Sequence, residues 1–292
     1  METKNKISFL LEYALVRLVF WMFSSIPLSL GRRGGAALGR FLGRVVKRRT
    51  LLASDNVARA FPDTPPDQVR AIVAQSWENL GIAMAEFTHL PALDKDAYFD
   101  LVTVTGLEDI EKAYRKGKGV ILFTAHYTNW EYAQHFLPLL DYPTAVIARR
   151  MKNPYVDAFI TAIRTHFGAE VFWHKNAVKE SIRWLRAGNV LGMLFDQRIT
   201  DGGVKVPFLG RPAHTTILPA FLALRLGVPV LPAHCWREGG KLRVHVSPEV
   251  DLDGLTMKEE DVREATARMT RVVDEWIRER PGMWLWIHDR WK

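Results

Sequence analysis

Gly119-Val-Ile-Leu-Phe-Thr-Ala-His-Tyr-Thr-Asn-Trp-Glu131 is the stretch on which the reading of this chain turns. Its first half, Gly119 to Thr124, is a short apolar run of the length expected of a buried strand. A helix is expected to begin near Asn129. His126 then lies two residues past a strand, and Glu131 lies in the first turn of the helix that follows.

The same alternation continues on either side. Leu101–Thr105, Thr144–Ala148, Glu170–Trp173 and Val190–Phe195 read as strands. Glu108–Lys116, Ala177–Arg186 and a segment from Asn153-Pro154 to about His166 read as helices, the last opened by a cap and a proline at the first helical position. A long loop is expected from Asp196 to His214, and an apolar helix from Thr215 to Leu226. Val228–Trp236 and Leu242–Val246 read as strands about a Gly239-Gly240 turn. Thr256-Met-Lys-Glu259 has the form of a capping box, and Pro281-Gly282 ends the helix it opens. Strands alternating with helices imply an α/β fold, a mixed and largely parallel sheet flanked by helices.

The preceding residues are different. Ile7 to Leu30 is nearly all apolar, interrupted by Glu12 and Arg17. The uncharged part, Leu18 to Leu30, is shorter than the ~18 residues of a clean span, but counting through the two charges gives a length that could cross a bilayer. A membrane anchor, spanning or monotopic, competes with a buried core helix and a cleaved signal peptide; the internal charges speak against the last. Arg32, Arg33, Arg40, Arg44, Lys47, Arg48 and Arg49 follow, with no acid until Asp55. That flank suits an anionic leaflet and a cytoplasmic location, and equally a solvated basic face. Residues 50 to 90 read as helical, broken at Phe61-Pro-Asp-Thr-Pro-Pro66. The expected organisation is an anchor helix over 1–30, a helical lead-in over 31–100 and an α/β core over 101–292.

Bulk composition narrows the partners. Hydrophobic residues are 48% and charged residues 25% of the 292, values of a globular chain. The formal net charge of +8 favours phosphates, anionic lipids and acidic proteins. No zinc-finger spacing, RNP-type run or basic heptad region occurs, so nucleic acid is not an expected partner. The single cysteine, Cys235, allows no intramolecular disulfide and reads as a small core residue.

Chemistry concentrates at His126. A carboxylate at Glu131 could accept from one imidazole nitrogen, fix the tautomer and leave the other nitrogen free to take a proton. That is the base-and-orienter half of a triad, and the nucleophile half is missing: no Gly-x-Ser-x-Gly elbow occurs. A substrate hydroxyl could serve instead. From spacing alone, a merely structural His–Glu hydrogen bond is an equal reading. A metal reading through Glu131 and His135, four apart on one helix face, lacks a His-Glu-x-x-His pattern and a second ligand cluster, and no metal is expected.

His126-x4-Glu131, after an apolar strand and before a helix, resembles the His-x4-Asp/Glu motif of the glycerolipid acyltransferase superfamily. Asp55-Asn-Val-Ala-Arg-Ala-Phe-Pro62, Ala148-Arg-Arg-Met-Lys-Asn-Pro154, Phe195-Asp-Gln197, Val206-Pro-Phe-Leu-Gly210 and Trp284-Leu-Trp-Ile-His-Asp-Arg-Trp-Lys292 resemble, in the same order, one branch of it, the lipid A biosynthesis acyltransferases. The resemblance covers nearly the whole chain. It implies transfer of a fatty acyl chain from acyl carrier protein to a hydroxyl of a lipid A precursor, at the cytoplasmic face of a bacterial inner membrane, without a cofactor or a covalent acyl-enzyme. His126 would be the general base and Glu131 its orienter. Arg149 or Arg150 would meet the oxyanion or a phosphate, Asp196 and Gln197 would lie near the acceptor, and Arg211 would be a further phosphate ligand. A lysophospholipid or mannosylated phosphatidylinositol acceptor is the alternative within this chemistry. A metal-dependent hydrolase and a non-catalytic membrane-binding protein are the alternatives outside it.

Overall fold

The computed structural model describes residues 2–174, 177–200 and 202–292. Four helices come first: α1 (Glu2–Ser24), α2 (Leu28–Val45), α3 (Lys47–Ala60) and α4 (Pro66–Phe87). The core then runs α5 (Lys95–Leu101), β1 (Val102–Thr105), α6 (Leu107–Tyr114), β2 (Val120–Thr124), α7 (Trp130–Ala133), α8 (Phe136–Leu139) and β3 (Thr144–Ala148). It continues through α9 (Pro154–Arg164), β4 (Glu170–Trp173), α10 (Ala177–Arg186), β5 (Val190–Leu194), β6 (Gly203–Phe208), β7 (Arg211–Thr216) and α11 (Leu218–Leu226). The hairpin β8 (Val230–Glu238) and β9 (Lys241–Val246) precedes the long α12 (Glu259–Glu279).

Seven strands form one sheet in the order β1-β9-β8-β2-β5-β3-β4. All its pairings are parallel except the β8–β9 hairpin, so the sheet is mixed and largely parallel as the alternation implies. Side chains alternate across each strand. Ile121, Phe123, Leu191, Met193 and Val230 join one hydrophobic cluster with α3, α4, α11, α12 and the C-terminal tail. Val120, Leu122, Val190, Leu231 and Ala233 join a second on the opposite face, with Tyr132, Phe136 and Ile163 from α7, α8 and α9.

Three local expectations are corrected. Asp196–His214 is not a plain loop: its described residues include the antiparallel hairpin β6–β7. The turn residues Leu209 (φ 49°) and Gly210 (φ 78°) both have positive φ, the requirement of a tight two-residue turn, but leucine hides the usual Asn-Gly signature. Thr215 and Thr216 belong to that hairpin, which moves the start of the apolar helix to Leu218. Thr256 is not a cap; it donates its hydroxyl to Asp261, and α12 begins at Glu259.

The charges inside the apolar N-terminal run have partners. Asn153 Nδ2, at the start of α9, donates to Glu12 at 2.9 Å, and Arg17 sits 4.9 Å over the Phe159 ring. Tyr13 and Phe20 pack edge-on against Phe159. One face of α1 thus rests on α9, and Ile7, Leu11, Leu15 and Trp21 remain exposed. Over Lys6–Ser24, α1 is long and apolar enough to cross a membrane, with mean hydropathy 1.6.

Helices α2 and α4 cross at backbone contact. A Cβ on Gly35 would lie 2.4 Å from the Gly81 carbonyl oxygen, and one on Gly39 2.2 Å from that of Trp77. Only glycine permits that approach. Below the crossing, the fully buried Glu86 accepts from Arg32 on α2 (2.8 Å), Arg237 on β8 (2.8 Å) and Asn129 beside α7 (2.6 Å). Burial pushes its pKa up, but Arg237 and Arg32 outweigh that and hold it below the usual range. Replacing Glu86 by Ala strands two largely buried guanidinium groups. Urea unfolding of Glu86→Ala is expected to show a loss of about 3–5 kcal/mol; a loss below about 1 kcal/mol contradicts the assignment.

Candidate active site

The β2–β5 pairing builds the site. Thr124 stands opposite Leu194, and the Phe195 N–H bonds to the Thr124 carbonyl. Two residues further along, this parallel register brings His126 beside Asp196. Asp196 Oδ1 lies 2.8 Å from His126 Nδ1, and its Oδ2 accepts from the His126 backbone N–H (2.9 Å) and from Trp284 Nε1 (2.6 Å). Burial alone would push the Asp196 pKa up. The neighbouring imidazole and the three hydrogen bonds reverse that and bring it to about 2. An ionised carboxylate only accepts, so Nδ1 donates to it. The Gln197 Nε2 amide, 3.1 Å from His126 Nε2, only donates, so this contact calls for a lone pair at Nε2.

The loop carrying His126 is clamped by the tail. Thr128 N–H donates to the Met283 carbonyl (2.8 Å), and Leu285 N–H donates to the His126 carbonyl (3.1 Å). Buried Thr128 is held at φ 52°, a costly conformation that surrounding contacts must enforce. Asn129 caps α7 through Tyr132 N–H and donates to Glu86. The tail is in turn held by Asn56, which donates to the Trp286 and His288 carbonyls, and by Ser76, which donates to that of Trp284. Arg290 donates to the His214 carbonyl and to Thr215 Oγ1. The motif stretches beginning at Asp55 and Phe195 and the tail from Trp284 therefore support one another and the loop.

Glu131 does not orient His126 here. It accepts from Arg164 Nε (3.0 Å) and Nη2 and from Gln134 Nε2 (3.1 Å). The reason is geometric and electrostatic: α7 is a single turn that sets Glu131 against the last turn of α9, and a two-pronged guanidinium is a stronger partner for a buried carboxylate than one neutral imidazole N–H. Asp196, expected near the acceptor, is the imidazole's partner.

A cavity of about 340 Å³ opens beside His126. Leu122, Thr124, Val146, Gly192 and Leu194 form its sheet side, and Trp130, Glu131, Ala133, Gln134 and Arg164 line it from α7, α9 and the turn between α7 and α8. Gln197 and Arg149 also line it. Arg150 does not; its guanidinium lies 4.0 Å over the Trp173 ring and 3.3 Å from Asp157. Arg211 is also outside the cavity lining, 4.6 Å over the Trp291 ring. Sequence reasoning missed Arg164, Arg198 and Trp284, of which the first two line the cavity and the third holds Asp196. His135 is fully buried edge-on to Phe167, and burial pushes its pKa down to about 3. Among the described residues no three His, Cys, Asp or Glu groups gather as metal ligands would. Cys235 is buried, its thiol pushed up to about 12 by burial.

The Asp196 shift carries a pH signature. Its folded pKa lies below the ordinary 3.8, so its contribution to stability is complete above that value and fades as pH falls toward about 2. Measured by denaturant unfolding, the stability gap between wild type and Asp196→Asn is expected to narrow across that window by on the order of 2 kcal/mol. A constant gap contradicts the ionised assignment.

Comparison with known proteins gives consistent findings. The family described as bacterial lipid A biosynthesis acyltransferase matches residues 1–292. The Escherichia coli lipid A biosynthesis lauroyltransferase is 26% identical over 282 residues, covering 94% of this chain and 89% of that enzyme. A lipid A biosynthesis acyltransferase of Haemophilus influenzae is 25% identical, covering 91% and 83%. A phosphatidylinositol mannoside acyltransferase of Mycolicibacterium smegmatis is 26% identical over 200 residues, covering 67% and 66%.

Proposed function

The chain belongs to the bacterial lipid A biosynthesis acyltransferase family, and from that premise we propose that it moves a fatty acyl chain from an acyl carrier protein thioester to a hydroxyl of a lipid A precursor, with His126 as general base. The observation that carries this reading is His126, its Nδ1 held 2.8 Å from the Asp196 carboxylate, on the wall of a cavity lined largely by apolar side chains.

The acceptor hydroxyl takes the place of the Gln197 amide at Nε2 and gives up its proton there as its oxygen attacks the thioester carbonyl. Asp196 orients the ring and balances the imidazolium that forms. The tetrahedral oxyanion is met by a cavity arginine, for which Arg149 is the candidate. Glu131 holds Arg164 at the cavity wall, where the guanidinium is a second positive charge toward the same oxygen or an acceptor phosphate. Collapse breaks the carbon–sulfur bond, and the imidazolium returns its proton to the departing thiolate. The products are an ester and a free thiol, with no acyl-enzyme and no metal or cofactor.

The net charge of +8 suits an acidic carrier and a phosphorylated lipid. The exposed apolar face of α1 and the basic residues after it suit an enzyme at the cytoplasmic face of an inner membrane. A mannosylated phosphatidylinositol acceptor is the second reading, favoured by the mycobacterial relatives; the whole-chain family match favours the first.

Purified full-length protein assayed with acyl carrier protein thioesters against both acceptors tests this. Turnover of the lipid A precursor is expected, and turnover of the mannolipid alone selects the second reading. His126→Ala is expected to lose about 10²–10⁴-fold in kcat with an unchanged melting transition. Full activity in that variant overturns the role of the base.

A further inference from the structure

Gly192 sits at the centre of β5, the strand between β2 and β3. Glycine inside a strand weakens it and leaves nothing to pack, so a central strand carries one for a reason. A positive φ is one reason, and Gly192 has none. Close approach of another backbone is a second. A Cβ built at Gly192 meets only Val146 Cγ1 at 3.3 Å and, further off, the Ala145 carbonyl oxygen on the neighbouring strand at 3.7 Å. Gly35, Gly39 and Gly81, whose Cβ atoms would strike backbone at 2.1–2.4 Å, show what that second reason looks like in this molecule. The third reason is clearance for a ligand.

The sheet register locates that clearance. Leu122, Gly192 and Val146 stand side by side across β2, β5 and β3, and all three line the cavity. His126 is four residues beyond Leu122 along the same strand direction, about 13 Å away at ~3.3 Å per residue. Thr124, Leu194, Ala148 and Ala233 lie nearer the His126 end. A chain held with its carboxyl carbon at His126 and running down the strands reaches the Leu122–Gly192–Val146 row with its tail.

We propose that Gly192 sets the acyl-chain length this enzyme accepts, its missing side chain leaving the far end of the cavity open to the terminal methylenes of the donor. This rests on the acyltransferase reading above. A side chain at Gly192 projects into the cavity and shortens it; trimming Val146, its nearest neighbour, lengthens it.

The test is a graded series of saturated acyl thioesters offered to purified full-length wild type, Gly192→Ala, Gly192→Val and Val146→Ala, with the melting transition of each recorded. Gly192→Ala and Gly192→Val are expected to move the preferred length progressively shorter, and the long-to-short ratio of kcat/KM falls about 10-fold or more, the scale of discrimination for one methylene in an apolar pocket. Val146→Ala is expected to move it longer. If Gly192→Val does not fold, the Gly192→Ala and Val146→Ala pair decides. Folded variants with the wild-type length profile overturn the inference. A wild type that transfers no acyl chain of any length instead overturns the acyltransferase reading beneath it.

Discussion

The carboxylate of Asp196 is the point on which the site depends. Buried at the end of β5, it receives donors from the imidazole and backbone of His126 and from the indole of Trp284. Those donors come from two separate parts of the chain, so one ionised group at the end of β5 holds the loop carrying His126 and the tail together. An unpaired carboxylate in that position would be expensive. Every element that keeps its donors in place is therefore under constraint. The dependence explains why Asn56 and Ser76, on helices far earlier in sequence, spend their side chains on tail carbonyls.

A second buried carboxylate, Glu86, ties the N-terminal helices to the same loop through Asn129. Arg32 reaches it from α2, whose backbone is drawn onto α4 by paired glycines. Helix α2 and the loop carrying His126 are thus joined by one hydrogen-bonded route. That route passes through an ion network whose charges compensate one another inside the protein. The N-terminal helices expose apolar and basic side chains, and the strand ends beneath hold the polar cluster of His126, Asp196 and Gln197.

Much of the fold was legible in sequence. The apolar runs from Val120 and Val190, bounded by glycine and polar residues, gave both central strands, and Asn153-Pro154 gave the start of α9. The hairpin β6–β7 was not legible because Leu209 takes a backbone conformation usually read from asparagine or glycine. At the site, His126 stands out in the sequence because a histidine follows an apolar strand. Glu131 is the nearer carboxylate in sequence, whereas the hydrogen bond to Asp196 follows strand register. The signal for Asp196 was present: two buried strands end in Phe-Thr-Ala-His and Leu-Phe-Asp, with His126 and Asp196 at the same offset past paired residues. Knowing that the two strands are neighbours was the missing step, and topology supplies it. Trp284 and Arg164 act through contacts across the fold, which leave no local pattern to read. The four-residue spacing of Gly31, Gly35, Gly39 and Gly43 did mark the close packing of α2 and was there to be read.

A general base at His126 needs Nε2 free of a proton. Nitrogen-15 magnetic resonance of selectively labelled histidine in the full-length protein at neutral pH reads this directly. The proton is predicted on Nδ1 with Nε2 unprotonated, a state that shifts in Asp196→Asn and stays put in Glu131→Gln. A proton on Nε2 in the wild type, or a ring that responds to Glu131 and ignores Asp196, would contradict it.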